Sequence, residues 1–149
     1  QRPRHLHQVP AFASGVLRLI FTPASYYVLR IMEEIILRNG VKLVVEDKTA
    51  VLTADLYMIH LTFTTIVELD DADAELKRFV GGDRATLTRE LKRPAVHERE
   101  KDAVRDAMKE SFLATNLPYM ERPKFVGRFK AKLLKDFQEE EEKKKRSHG

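Results

Sequence analysis

The sequence has no cysteine. That absence excludes disulfides, thiolate chemistry and cysteine-held zinc or iron–sulfur sites in one step, and it argues against a small secreted scaffold. No apolar run approaches the roughly 18 residues that a membrane-spanning helix needs. Residues 1–32 carry Arg2, Arg4, Arg18 and Arg30 and no acidic residue. An acid-free, arginine-bearing start at Gln1 has the character of an organellar targeting region or its remnant, or else of a basic flexible tail. Catalytic motifs are also lacking. Gly81-Gly82-Asp83-Arg84 misses the Lys-Ser/Thr of a phosphate loop and reads as a helix exit. Ser14, Ser25 and Ser111 have no elbow motif or nearby base, and no His-Glu-x-x-His spacing occurs.

What remains suits one domain with extensions. The 149 residues are 43% hydrophobic and 34% charged, with a net charge of +4. Residues 1–14, with two prolines and two histidines, read as an extended basic arm. Val16 to Phe21 form a short apolar run that suits a buried strand. Thr22 and Pro23 are placed to start a helix, and Val28, Ile31, Met32, Ile35 and Ile36 recur at helical spacing, with Asn39-Gly40 as a left-handed stop. Val41, Leu43 and Val45 alternate as a half-buried strand. Ala50–Thr53 is short enough for a brief partner strand or an insertion.

Tyr57 to Leu69 shows the cleanest two-residue period in the chain. Its length predicts a hairpin bending near Thr64-Thr65. Asp70, Asp71, Asp73 and Glu75 lack the calcium-loop spacing and read as caps of a short helix containing Leu76, Phe79 and Val80. The order is β-α-β-β-β-α over residues 15–82. Residues 83–149 read as a charged, helical extension, with helices over 83–93, about 95–115 and about 123–142. The tail from Glu139 to Arg146 reads as a solvated, frayed end.

The strongest electrostatic signal lies after Pro118. Arg122, Lys124, Arg128, Lys130, Lys132 and Lys135 are interleaved with Tyr119, Phe125, Phe129 and Phe137. A helix with that pattern docks an apolar stripe on protein while flanking cations reach phosphates, which supply most sequence-independent affinity for nucleic acid. Arg2 and Arg4 on the arm are candidates for the same role. The competing readings are a helix packed on its own domain with solvated charges, and a membrane-surface helix. His5 and His7 lack nearby carboxylates and suit partner contact better than a metal. His60 reads as a cross-strand histidine, and His97 as part of a charged helix surface.

The segments "LRLIFTP", "VLRIMEEIIL", "VKLVVEDK", "YMIHLTFTTIVELD" and "ADAELKRFV", in that order, resemble the mitochondrial large-subunit ribosomal proteins numbered fifty-three. That family is thioredoxin-like without redox activity. The resemblance covers about residues 15–82. Where redox relatives carry Cys-x-x-Cys, this chain has Thr22-Pro23-Ala24-Ser25, so the thiol chemistry is absent. The resemblance implies an α+β, thioredoxin-like fold in the mitochondrial matrix. The chain would be a structural component of the mitochondrial ribosome large subunit, contacting ribosomal RNA and neighbouring ribosomal proteins. No catalysis, cofactor, metal, membrane span or small-molecule substrate is expected. The alternatives are an accessory subunit of a respiratory-chain or ATP-synthase complex and, third, an enzyme with a degenerate thioredoxin-like site.

Overall fold

The computed structural model describes residues 12–21 and 27–148, with side chains from Met32 to His148. Six strands form one antiparallel sheet: β1 (Phe12–Phe21), β2 (Tyr27–Ile36), β3 (Lys42–Asp47), β4 (Ala50–Thr53), β5 (Leu56–Glu68) and β6 (Arg84–His97). Helix α1 (Ala74–Val80) lies between β5 and β6. Helices α2 (Lys101–Met120) and α3 (Phe125–His148) follow the sheet. The α+β class therefore holds.

The expected β-α-β-β-β-α order does not, and with it goes the thioredoxin-like reading of the described residues. The span from Val28 to Ile36 is a strand, not a helix. β2 pairs with β1 on one edge and with β3 on the other. Its sequence, YVLRIMEEII, fits either period, because apolar residues fall on both parities. Pairing to both neighbours decides the outcome, as tertiary context often does for β-branched residues. Asn39-Gly40 is a hairpin turn rather than a helix stop. Gly40 has φ of 87°, and the Leu37 amide donates to Val41 O at 2.8 Å. The expected cap at Thr22 and Pro23 lies outside the described residues, as do Arg2, Arg4, His5 and His7.

β3 and β4 both face the same edge of β5. Asp47 pairs with Leu61, and Ala50 with Met58. They behave as two halves of one strand, interrupted where Thr49 N–H donates to Asp47 Oδ1 at 2.9 Å. The hairpin into β5 turns at Ala54-Asp55, with Ala54 at φ 48°, not at Thr64-Thr65. β5 runs unbroken because β6 pairs along its whole other edge, from Leu56↔His97 to Glu68↔Arg84.

β6 replaces the helix expected over residues 83–93. Its residues Ala85, Leu87 and Leu91 alternate with Thr86, Thr88 and Glu90. Pro94 sits at the register shift of this strand, beside Ala95 with φ of 59°. A bulge on an edge strand is where a sheet tolerates proline. Arg84, Arg89, Lys92 and Arg93 lie along the same strand, and charged side chains discourage pairing with further chains.

One face of the sheet is covered by the helices. Leu43, Val45, Ile59, Leu61, Phe63 and Val67 are buried there. Phe63 stacks on Phe112 of α2 with ring centroids 3.7 Å apart. Residues on both sides of position 82 share this core, since Ala85, Val96, Met120, Phe125 and Phe129 are buried with the earlier strands. The acidic cap sits on the 3-10 turn Asp71–Asp73 that leads into α1, not on α1 itself: Asp70 accepts from the Ala72 amide and Asp73 accepts in return from the Asp70 amide at 2.9 Å, while Asp73, the N-cap of α1, makes no side-chain bond to that helix. Gly81 ends α1 left-handed at φ 75°. α3 continues to His148, so the segment from Glu139 to Arg146 is helical rather than frayed.

Candidate nucleic-acid interface

The corner between α2 and α3 gathers the cations the sequence singled out. Pro118 lies in the last turn of α2. Proline has no N–H to continue the ladder, so a helix tends to end near it. The Arg122 amide then bonds Tyr119 O at 3.2 Å, and the Phe125 amide bonds Arg122 O at 2.9 Å. This tight reversal buries Phe125 to 7% exposure, while Tyr119 stays 44% exposed. The two rings meet edge to face at 5.4 Å, and the Arg122 guanidinium lies 5.9 Å from the Tyr119 ring centre. Asn39 ties the corner to the sheet by donating from Nδ2 to Met120 O at 2.9 Å.

Two adjoining depressions result. One, of about 280 Å³, is lined by Tyr119, Arg122, Pro123, Lys124, Phe125 and Arg128. The other, of about 330 Å³, lies between β5, β6, α2 and α3. It shares Tyr119, Phe125 and Arg128 with the first and adds Arg89, Asn116 and Lys132 over a floor that includes Phe63 and Phe129. The result is a groove with an apolar floor and a basic rim. A basic rim of this kind can neutralise phosphates, and an exposed aromatic ring can stack on a base.

The predicted residues divide into groups. Arg122, Lys124 and Arg128 are exposed and line the groove, with no acidic partner among the described residues. Lys132 lines it too, but pairs with Asp136 at 3.1 Å. Lys130 points the other way. It bonds Asp73 at 2.7 Å, with Asp70 at 3.9 Å, and closes α3 onto α1. Lys135 lies farther along, in a depression shared with Glu139, Glu142 and Lys143.

Arg89 was missed. It came from a span read as helix, although the alternation of Thr and Leu in "ATLTREL" was a strand signal that would have placed it. His60 is cross-strand as expected, with Nε2 3.5 Å from Glu90. His97 is not on a helix surface. It ends β6, and its Nε2 lies 2.7 Å from Asp55.

Two carboxyls are shifted. Asp73 is held below its ordinary value, first by the Asp70 backbone N–H and then by Lys130. Glu121, at the corner itself, is raised by burial, with Arg38 partly offsetting the effect. Among the described residues no group of three or more His, Asp and Glu is placed to hold a metal ion. No described helix is long and apolar enough to cross a membrane. No family model, no curated protein and no solved structure matches the chain.

Proposed function

We propose that this chain is a non-catalytic component of a ribonucleoprotein, using the α2–α3 corner to contact RNA, and that the particle is the large subunit of the mitochondrial ribosome. One observation carries the RNA contact. Arg122, Lys124 and Arg128 line one depression, Arg89 and Arg128 line the adjoining one, and none of the four forms an ion pair with a carboxylate among the described residues. Charges left unpaired beside an exposed tyrosine suit a polyanion with flat bases. The mitochondrial setting is supported by the acid-free, arginine-bearing residues 1–32. The thioredoxin resemblance no longer supports it, because its first helix is a strand.

The test is sedimentation of the tagged protein from mitochondrial lysate, with and without RNase. Co-migration with large-subunit RNA, lost on RNase treatment, is the expected result. Recovery only in light fractions would overturn the reading. Association with a membrane complex that is indifferent to RNase would favour the accessory-subunit alternative.

A further inference from the structure

Resting on the RNA reading, we infer that the groove between β6, α2 and α3 seats one unpaired base carrying an exocyclic amino group, in preference to uracil, which has none. Its volume of about 330 Å³ falls at the lower end of small-ligand pockets, roughly 300–1,000 Å³. That is room for a single heteroaromatic ring rather than a folded domain.

The groove is not simply apolar. Asn116 donates from Nδ2 to Phe112 O at 2.8 Å. That bond fixes the amide orientation, because a carbonyl oxygen only accepts, and it leaves Asn116 Oδ1 as an acceptor. Thr65, 6% exposed, also lines the groove, and its hydroxyl has no hydrogen-bond partner in the protein. Asp136 adds a carboxylate already shared with Lys132. A few convergent polar groups over an apolar lining fix the orientation of a ligand that can bond them. An acyl chain offers no such bonds, whereas the edge of a base does.

The acceptors decide which base. Adenine, cytosine and guanine each carry an exocyclic –NH₂, whereas uracil carries none, and where cytosine has its amino group uracil has a carbonyl that would face Asn116 Oδ1 acceptor to acceptor. Tyr119 at the mouth supplies the stacking face, and Arg128, common to both depressions, is placed for the adjoining phosphate. Base–aromatic stacking of this kind is sequence-tolerant alone, so the preference comes from the acceptors.

The experiment measures binding of the full chain to fluorescent single-stranded A12, C12 and U12 and to inorganic polyphosphate, at one fixed salt concentration. A12 and C12 should bind at least about fivefold more tightly than U12. Tyr119→Ala should weaken A12 about tenfold or more, and Asn116→Leu should bring A12 toward U12. A purine-riboside 12-mer, which lacks the 6-amino group of adenine, should bind the unaltered protein about as weakly as U12, a readout that needs no variant to fold. Equal binding of all these RNAs and of polyphosphate would overturn the base site while leaving phosphate contact intact. Binding of none of them would overturn both this inference and the RNA reading beneath it.

Discussion

Lys130 and Arg128 stand two residues apart on α3, one on the side that faces α1 and the other on the side that faces the groove. Lys130 is largely buried and bonded to Asp73, with Phe129 beside it in the core. Arg128 is exposed, without an acidic partner, and lines both depressions. The sequence gives the two cations the same weight. The fold spends one on closing the molecule and leaves the other for a partner. Charge count along a helix therefore says little about binding until each cation's nearest carboxylate is known.

The sharpest way to break that comparison acts on the inner side. Phe129→Ala removes a ring that is 8% exposed and tilted against Phe125 at 5.6 Å. Large-to-small changes of this kind cost about 3–5 kcal/mol, read as a lower urea midpoint with little change in slope. A loss under about 1 kcal/mol would show that α3 is not held by its aromatic stripe. On the outer side, the double variant Arg122→Glu, Arg128→Glu should weaken RNA binding about tenfold or more, with a shallower salt dependence. Its stability should stay within about 0.5 kcal/mol, as for surface changes away from packed features. A large drop in melting temperature would mean that these residues belong to the core side after all.

The contrast also marks what could be read from the sequence. β5's two-residue period, the half-buried strand at Val41–Val45 and the acidic turn that leads into α1 were legible because each depends on near neighbours. The helical character of the C-terminal half after position 101 was legible for the same reason. β2 and β6 were not. In β2 both periods fit, and its strand state comes from pairing with β1 and β3. In β6 the charged residues looked helical, and the strand is set by an edge of β5 offering bonds along its full length. The site followed suit. Arg122, Lys124 and Arg128 were identified by pattern, whereas Arg89 reaches the same groove only through β6. Lys130's diversion to Asp73 spans 57 residues of sequence separation and left no local trace.

Lys130→Met should separate the two sides further. It removes the bond to Asp73 but keeps the stem, so the expected loss is about 1 kcal/mol, with RNA affinity unchanged. The pair also sets a pH dependence. Asp73 titrates below its ordinary value of 3.8 in the folded state, so the unfolded chain takes up its proton first as pH falls. Its contribution is complete above about pH 4 and is lost as pH falls through the lower, folded value. The stability difference between the protein and an Asp73→Asn variant should therefore be constant near neutrality and shrink below about pH 4. A difference that grows in acid would reverse the assignment.

The smallest effect is expected at the far end of α3. Its last contacts with α1 are Phe137 stacked on Phe79 at 5.2 Å, Gln138 bonded to Glu75 at 3.0 Å, and Glu141 at 3.8 Å from Arg78. Beyond these, the pair between Arg146 and Glu142 at 3.9 Å is an i, i+4 contact of a few tenths of a kcal/mol at most. Lys143 to Arg146 are also preceded by four glutamates, so their field on a nearby polyanion is largely cancelled within a Debye length of about 10 Å. Ending the chain after Glu142 should change stability by less than about 0.5 kcal/mol and RNA affinity by less than about twofold, while far-UV helicity falls. A larger loss of affinity would move the working surface from the groove at the start of α3 to its end, because the tail would then carry contacts that the unpaired cations around Arg128 do not.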